Sequence, residues 1–349
     1  MGQKWVKMFR PNYKLTNAIV NNITDITAAR EAILHAPILP MVENKLYHEA
    51  LISRTHHSTS IEGNPLNLLQ VKALVEGAST SVRPKDKQEI LGYAKALKYL
   101  ETISTKKHLS EAVVLKIQKL ITQGTLPPGQ CGKYRDKMVY VVNHFGQTVF
   151  TPPETKLVHG LAMALAKWLN SPASQGLHPA LVTGIAHYEL VRIHPFIDGN
   201  GRTARALATL ILYQRNFDIK HFFALDDYYN GNRAAYYAAL QYVDPEKQDI
   251  TQWLEYFTEG VAVQMDNLKK KVDSLAHDPI LGKLKKRIIL KDRQWKLLEF
   301  IKENSRATNL DYQKVAGISR EMSKRDFAFL VKEGLLKQIG QGRSVYYTF

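Results

Sequence analysis

The spacing of apolar residues along most of the chain is typical of α-helices. Segments such as 46–52 and 89–97 place apolar side chains three and four residues apart, which gives each helix one face to bury. The clearest interruption comes near the middle, where two β-prone runs, 138–142 and 148–151, flank a short polar turn and predict a hairpin. We therefore expect a mainly α fold that carries a β-hairpin.

Length, composition and cysteine content limit the classes of protein to which the chain can belong. It has 349 residues, enough for two or three domains, and its 45% hydrophobic and 23% charged residues are ordinary for a globular protein. No run of about 18 apolar residues predicts a membrane span, so we expect no membrane partner. A lone cysteine, Cys131, and an N-terminus without an apolar export segment predict a cytoplasmic protein.

The C-terminal part of the chain predicts a separate small domain. From residue 292 onward, three helical segments are followed by two β-prone runs, 335–339 and 344–348, which flank a glycine-rich turn that contains Arg343. This order resembles the winged helix-turn-helix fold. Residues 265–349 carry +9 of the net charge of +16, which is compatible with DNA binding and equally with a solvated basic face or a protein-binding winged helix.

The residues that indicate chemistry lie together in the segment HPFIDGNGRTAR, from His194 to Arg205. Helical patterns on both sides, 179–193 and 203–213, predict a loop that leads into a helix N-terminus. Glycines in such a loop let backbone N–H groups face an anion, and the helix end adds partial positive charge. A histidine base, an aspartate that can hold Mg²⁺ and two arginines complete a pattern suited to phosphoryl or nucleotidyl transfer.

Two other motifs that use the same residues are excluded by their surroundings. The dinucleotide fingerprint G-x-G-x-x-A, beginning at Gly199, has to follow a buried parallel strand, but residues 185–193 predict a helix. A calcium loop with Gly201 in its sixth position would need ligands at Phe196 and Leu207, whose side chains offer none. The context favours a phosphate-binding loop.

The segment matches the signature of Fic-domain proteins, which begins His-Pro-Phe-x-Asp/Glu-Gly-Asn-Gly and ends on an arginine, and the chain resembles this family over roughly residues 45–260. The resemblance implies a helical Fic fold and transfer of AMP from ATP to a hydroxyl group of a target protein. It implies that His194 is the catalytic base and that Asp198 binds Mg²⁺. It also implies that the ATP phosphates are bound by Gly199, Asn200, Gly201, Arg202, Thr203 and Arg205.

Further site residues follow from the same resemblance. The hairpin strand at Val149, Phe150 and Thr151 would be a flap that docks the target segment as an added strand, because main-chain pairing needs little side-chain specificity. Tyr236 and Tyr237 match positions that help to form the adenine pocket in relatives. Core packing of an aromatic pair is the alternative interpretation of these two tyrosines.

A second motif, STSIEGN at residues 58–64, predicts autoinhibition. It matches the Ser/Thr-x-x-x-Glu-Gly/Asn motif of Fic proteins that carry an inhibitory helix before the catalytic core. A carboxylate and a guanidinium pair strongly, so Glu62 on Arg205 would occupy the charge meant for the γ-phosphate and leave ATP misoriented. Taken alone, the same residues would be only a helix end with a C-terminal glycine.

These observations predict an autoinhibited protein adenylyltransferase that requires ATP and Mg²⁺. The alternatives are a phosphodiesterase that removes AMP from a modified protein, with Glu62 positioning water, and a nucleotide-sensing DNA-binding regulator. Expected partners are ATP, a target protein with a Ser, Thr or Tyr hydroxyl, the chain itself as a target, a second copy in a homodimer, and DNA. The predicted parts are an N-terminal helical region with the inhibitory motif (1–110), the Fic catalytic core (111–262), a linker or connecting helix (263–291) and the winged helix-turn-helix domain (292–349).

Overall fold

The computed structural model describes residues 9–276 and 290–349, apart from residues 37, 39, 106, 107, 143, 144, 218 and 245. Residues 277–289 of the predicted linker or connecting helix therefore lie outside the described residues, as do residues 143–144 of the predicted hairpin turn. The chain divides into two compact units, Met1–Leu34 with Leu46–Lys269, and His35–Lys45 with Lys270–Phe349. The finer division into four parts stays a prediction.

Residues 9–276 are mainly helical, as the apolar spacing predicts. The elements are α1 (Asn17–His35), α2 (Pro40–Ile61), α3 (Leu68–Val75), α4 (Pro84–Ile103), α5 (Glu111–Thr122), β1 (Val141–Val142), β2 (Thr148–Phe150), α6 (Thr155–Leu169), α7 (Pro172–Gln175), α8 (Pro179–Ile193), α9 (Asn200–Gln214), α10 (Asp226–Gly231), α11 (Arg233–Gln241) and α12 (Thr251–Ala276). No helix among the described residues has the length and apolar character needed to cross a bilayer.

Helices α8 and α9 form the centre of the first unit, and the signature loop connects them. Every residue of α8 from Ala180 to Leu190 is buried, so this helix is surrounded by protein on all sides. Gly184 lets α12 approach closely, because a Cβ at this position would lie 2.9 Å from side-chain atoms of both Leu254 and Phe257. The loop is therefore fixed at both ends by helices that cannot shift freely.

The predicted hairpin is present, with shorter strands than the β-prone runs suggest. Strands β1 and β2 are antiparallel, with Val141 opposite Phe150 and Val142 opposite Thr148. A shift in register between Val141 and Val142 interrupts the ladder, as a bulge does. Within the described residues this sheet has two strands, so β2 keeps an edge to which a further strand can bind.

Residues 290–349 fold in the predicted order of three helices and two strands. These elements are α13 (Asp292–Asn304), α14 (Asn309–Ala316), α15 (Arg320–Lys332), β3 (Lys337–Ile339) and β4 (Tyr346–Thr348). Ser319 caps α15 as expected, since its hydroxyl accepts a hydrogen bond from the backbone N–H of Met322 at 3.3 Å. The rings of Phe327 and Tyr347 stack 3.7 Å apart in the small core. Assignment of this part to the winged helix-turn-helix fold stays a prediction.

Gly92 in α4 lies at a close approach to α5, and alanine at this position is expected to destabilise the fold. A Cβ would lie 2.8 Å from the carbonyl oxygen of Leu120 and 2.9 Å from that of Ile121, and backbone atoms cannot move aside as a side-chain end can. We expect Gly92→Ala to lower the free energy of unfolding by about 1–3 kcal/mol in urea denaturation. Gly231→Ala is the control, because a Cβ there meets nothing within 4 Å. Equal losses in both variants would contradict this explanation.

Candidate active site

The loop between α8 and α9 is held closed by its own side chains. Oδ1 of Asn200 accepts a hydrogen bond from the backbone N–H of Phe196 at 2.9 Å, and Nδ2 of Asn200 donates to the Phe196 carbonyl at 2.9 Å. The Phe196 side chain is fully buried and anchors the loop. Gly199 adopts φ +81°, and a Cβ there would lie 2.9 Å from Cγ2 of Thr122, so glycine is required by both conformation and space.

His194 caps the C-terminal end of α8, and the preceding turn orients its ring. Its backbone is left-handed, with φ 48° and ψ 57°, and Nδ1 lies 3.2 Å from the carbonyl oxygen of Val191. A carbonyl can only accept, so this contact places the proton on Nδ1 and leaves Nε2 as the basic nitrogen. Burial lowers the pKa of His194 below its ordinary value, although the contact with Val191 and the charge of Glu62 oppose this effect. The ring is therefore neutral near pH 7.

Arg202 offers buried hydrogen-bond donors of the kind that an anion satisfies. Its Nη2 donates to both carboxylate oxygens of Asp198, at 3.2 and 3.1 Å. Its Nε and Nη1 are buried, and neither has a hydrogen-bond partner among the described residues. Buried donors without partners cost free energy. The phosphate oxygens of a nucleotide fit this part of the loop.

Asp198 fits a metal ion that arrives with a nucleotide. Its side chain is 49% exposed, so carboxylate lone pairs remain accessible, while Oδ1 accepts the backbone N–H of Gly199 at 2.6 Å. Within the described ranges, His, Cys, Asp and Glu side chains form no group of three or more that could hold a metal. Mg²⁺ is commonly bound by one or two carboxylates, with water and substrate phosphates completing the shell. Asp198 therefore fits Mg²⁺ bound together with ATP.

Arg205 is buried and bonded to residues of the predicted inhibitory motif. Its Nε donates to the hydroxyl of Ser58 at 2.8 Å, and its Nη2 donates to the Ser58 carbonyl at 2.8 Å and to Oε1 of Glu62 at 2.7 Å. Burial opposes the charge on the guanidinium, but the carboxylates of Glu62 and Asp226 outweigh it and raise the pKa of Arg205. The structure thus brings Glu62 and Arg205 together.

The carboxylate of Glu62 also lies against the glycine turn of the signature loop. A Cβ built on Gly201 would collide with Oε1 of Glu62 and would lie 3.1 Å from Nη1 of Arg205. The side chain of Glu62 is 34% exposed, whereas that of Arg205 is 1% exposed. Glu62 therefore covers backbone that the family resemblance assigns to ATP phosphates.

A tight turn after α2 explains how the motif delivers Glu62. Gly63 adopts φ +91° and its N–H donates to the Ser60 carbonyl at 2.9 Å, which ends the helix and turns the chain. Asn64 ties the turn to α4, since its Nδ2 donates to the carbonyl of Asp86 at 3.1 Å and to the carboxylate of Glu89 at 2.8 Å. The Glu-Gly-Asn order thus provides the carboxylate, the turn and its anchor.

A buried polar cluster adjoins Arg205. Oδ1 of Asp226 lies 3.4 Å from Nε of Arg205, and burial raises the pKa of Asp226 although the positive charge of Arg205 opposes that rise. His187 lies 2.9 Å from the hydroxyl of Tyr236, and burial, together with the charge of Arg205, lowers the pKa of His187 to about 3. His187 is therefore neutral, and Asp226 is a second carboxylate beside the guanidinium.

The two neighbouring tyrosines have different surroundings. Tyr236 is buried, with its ring 4.5 Å from that of Tyr229, which agrees with core packing. Tyr237 is 41% exposed, and its hydroxyl donates to the carbonyl of Ile61 at 3.3 Å, directly before Glu62. Adenine contacts by either tyrosine stay a prediction.

The predicted flap residues lie on the second hairpin strand and just after it. Val149 and Phe150 belong to β2, and Thr151 follows the strand. Val149 is 37% exposed, so part of its side chain is accessible from solvent. Docking of a target segment on this strand stays a prediction.

Three residues that shape the site were not among the predicted site residues. Gln118 in α5 donates to the carbonyl of Asp198 at 3.1 Å. Arg135 donates to the carbonyl of His194, and Asp226 lies beside Arg205. Gln118 and Asp226 have no local sequence signal, because they reach the site through tertiary contacts. Arg135 had a weak signal, since it lies directly before the predicted hairpin.

Comparison with known proteins agrees with this geometry. Residues 108–212 match the Fic/DOC family. The chain is 33% identical over 211 residues to a protein adenylyltransferase Fic of Nematostella vectensis, covering 58% of this chain and 48% of that protein. It is 34% identical over 172 residues to the protein of the same name from Drosophila willistoni, and the match covers 48% of this chain and 33% of that protein. The chain thus spans about half or less of the length of these relatives.

Solved structures show the same fold. A Fic family protein from Desulfovibrio desulfuricans G20 aligns with a TM-score of 0.69 and 22% identity over 98% of both chains. Fic-1 from C. elegans aligns with a TM-score of 0.61 and 25% identity, over 73% of this chain and 72% of that one. With the signature loop in place between α8 and α9, and with Glu62 bound to Arg205, these matches show that residues 108–212 form a domain of the Fic/DOC family.

Proposed function

We propose that the chain is a protein adenylyltransferase that transfers AMP from ATP to a Ser, Thr or Tyr hydroxyl of a target protein. One loop carries the proposal, because it brings together the neutral ring of His194, the half-exposed carboxylate of Asp198 and the buried donors of Arg202 that lack partners among the described residues. The relatives named protein adenylyltransferase Fic support the same reaction.

His194 acts as the general base. The target hydroxyl oxygen forms a bond to the α-phosphorus of ATP while the bond from that phosphorus to pyrophosphate breaks. The hydroxyl proton passes to Nε2 of His194, which is free to accept it because Nδ1 faces the carbonyl of Val191. Arg202 binds the phosphates and balances the charge that moves onto the leaving group.

Labelled ATP tests the proposed reaction. AMP transfer leaves the α-phosphate on the protein and releases the γ-phosphate within pyrophosphate. Glu62→Gly chain incubated with Mg²⁺ and α-labelled ATP is therefore expected to label itself or proteins of a cell extract, whereas γ-labelled ATP is expected to leave no label. Label from γ-labelled ATP would assign the site to phosphoryl transfer instead.

Asp198 supplies the carboxylate for Mg²⁺, which when bound would neutralise the phosphates and orient them. We expect Asp198→Asn to lower the transfer rate by about tenfold or more and to raise the Mg²⁺ concentration needed for half-maximal rate. A magnesium titration of transfer in the Glu62→Gly background measures both. Asp25→Asn, at an exposed position of α1, is the control. A Glu62→Gly rate that EDTA leaves unchanged would remove the metal assignment.

Glu62 is the proposed brake. Its carboxylate binds Arg205 and covers Gly201, so the γ-phosphate and Glu62 compete for one guanidinium. Ser58 binds the same arginine through its hydroxyl and its carbonyl, which fixes the inhibitory helix where Glu62 reaches the loop. ATP then binds without the contact that aligns its α-phosphate for attack.

The remaining partner predictions concern surfaces outside the loop. Arg320, Lys324 and Arg325 are exposed on α15, the helix that would read DNA in a winged helix-turn-helix domain. Glu321 lies 3.7 Å from Lys324 and offsets part of this charge, while the side chain of Arg343 lies outside what the structure describes. DNA binding, self-modification, a homodimer and a cytoplasmic location stay predictions.

A further inference from the structure

Arg135 joins the backbone of the catalytic loop to both ends of the hairpin. Its backbone N–H donates to the carbonyl of Pro195 at 2.9 Å, and its Nε donates to the carbonyl of His194 at 2.9 Å. On the hairpin side, Nη1 donates to the carbonyl of Lys137 at 3.2 Å and to the hydroxyl of Thr155 at 3.0 Å, and Nη2 donates to the carbonyl of Pro153. Lys137 precedes β1 and Pro153 follows β2, so one side chain binds the loop and both hairpin ends.

The chemistry of this contact requires an arginine. The residue is only 3% exposed, and its guanidinium presents donors in a planar fork that reaches separate acceptors at once. A lysine at Arg135 would place its three donors on a single nitrogen and could not span the same set of carbonyls. Glutamine is shorter and has a single donor group.

The carbonyl that Nε holds belongs to a residue in a disfavoured conformation. His194 is one of few residues other than glycine with positive φ among the described residues, and such a conformation persists only where its surroundings fix it. The paired bonds from Arg135 to the carbonyls of His194 and Pro195 supply this fixing. Without them the peptide after His194 can rotate, and the ring would lose its place at the end of α8.

We propose that Arg135 is a positioning residue that sets the hairpin and the His194 ring in one fixed relation. The inference rests on the proposed function, in which His194 removes a proton from a hydroxyl that the hairpin docks. A hydroxyl presented on β2 reaches Nε2 of His194 only if strand and ring keep this relation, since small displacements of reacting groups are costly in rate. Arg135 acts through both parts, because its bonds go to the backbone of the loop and to the ends of the hairpin.

Hydrogen exchange of the full chain, read by mass spectrometry, tests the link without any need for activity. The variants are Arg135→Gln, Arg135→Lys and the milder Thr155→Val, which removes one acceptor and leaves the arginine in place. Arg215→Gln is the matched control, because Arg215 also binds a backbone carbonyl and a hydroxyl, both of Ser174, away from the loop. MgATP binding is measured in the same samples.

In Arg135→Gln we expect amide exchange in 138–142, 148–151 and 193–197 to accelerate by about tenfold or more. Exchange in the interior of α8 and the affinity for MgATP should stay unchanged. Arg135→Lys should exchange as fast as Arg135→Gln in these segments. Thr155→Val should accelerate exchange in the hairpin alone. Arg215→Gln should leave exchange in the hairpin and in the loop at the wild-type rate. The pKa of His194, followed by NMR, should rise in Arg135→Gln as the ring becomes more solvated.

Amide exchange at the wild-type rate in both the hairpin and the loop of a folded Arg135→Gln chain would overturn the proposal. Faster exchange spread evenly over α8 and α9, together with weaker MgATP binding, would also overturn it. If Arg135→Gln does not fold, Thr155→Val decides: amide exchange at the wild-type rate in its hairpin would overturn the proposal. Where AMP transfer is measurable, Arg135→Gln should lower kcat for transfer and leave KM for ATP unchanged. If neither wild type nor Glu62→Gly transfers AMP, the proposed function is rejected. The exchange rates would still show whether Arg135 links the hairpin to the loop.

Discussion

Replacing His194 with alanine is expected to lower the rate of AMP transfer by about 10²–10⁴-fold, the usual contribution of a positioned general base. ATP affinity should hardly change, because the phosphates are assigned to Arg202, Arg205 and the glycine turn. Rate and affinity are measured separately, by label transfer and by equilibrium ATP binding, in the Glu62→Gly background.

The pH dependence of transfer gives the same base a second readout. A base must be neutral to act, so the rate should fall as pH decreases through the pKa of His194. Burial lowers that pKa, so the fall should begin below the pH at which an exposed histidine titrates. His159→Ala is the control, because this histidine is largely exposed and lies 3.2 Å from Glu111, outside the loop. Transfer by His194→Ala at the parent rate would remove His194 from the base role.

Replacing Glu62 with glycine is expected to raise AMP transfer by about tenfold or more. A hydrogen bond between charged groups contributes about 1.5–3 kcal/mol, and each 1.4 kcal/mol is a factor of ten in an equilibrium. Removal of the carboxylate frees Nη2 of Arg205 for the γ-phosphate and uncovers Gly201. Initial rates of label transfer at saturating ATP measure the gain.

Two further variants define the origin of this gain. Arg205→Ala in the Glu62→Gly background should cancel it, because the freed guanidinium is its cause. Glu31→Gln, which breaks a surface ion pair of 2.6 Å with Arg30 in α1, should leave transfer at the wild-type level. Equal rates for wild type and Glu62→Gly would end the brake hypothesis. If modified protein accumulates with Glu62→Gly only because this variant no longer removes AMP, the phosphodiesterase alternative would be favoured.

The sequence was sufficient for the parts of the site whose residues are neighbours in the chain. The glycines of the loop, the helix that follows it and the Glu-Gly turn after α2 are local features, and their pattern predicts their conformation. The boundary of α9 was less exact, since the helix begins at Asn200 rather than near residue 203. Asn200 explains the difference, because its side chain closes the loop on Phe196 and starts the helix early.

The parts that the sequence could not predict depend on contacts between distant residues. Asp226 lies beside Arg205, and Gln118 reaches the carbonyl of Asp198, only because the helices pack as they do. Tyr236 and Tyr237 are adjacent in sequence, yet one packs in the core and the other contacts Ile61. Helical spacing separates their faces, but it does not reveal which face meets the predicted inhibitory motif.

The most direct test of autoinhibited AMP transfer counts two products in one reaction. Wild type, Glu62→Gly and Glu62→Gly with His194→Ala are each incubated with α-labelled ATP, Mg²⁺ and a cell extract, and protein-bound AMP and free pyrophosphate are both measured. We expect equal amounts of the two products in Glu62→Gly, little of either in wild type, and neither when His194 is also replaced. Equal yields in all three proteins, or label on protein without matching pyrophosphate, would contradict autoinhibited AMP transfer.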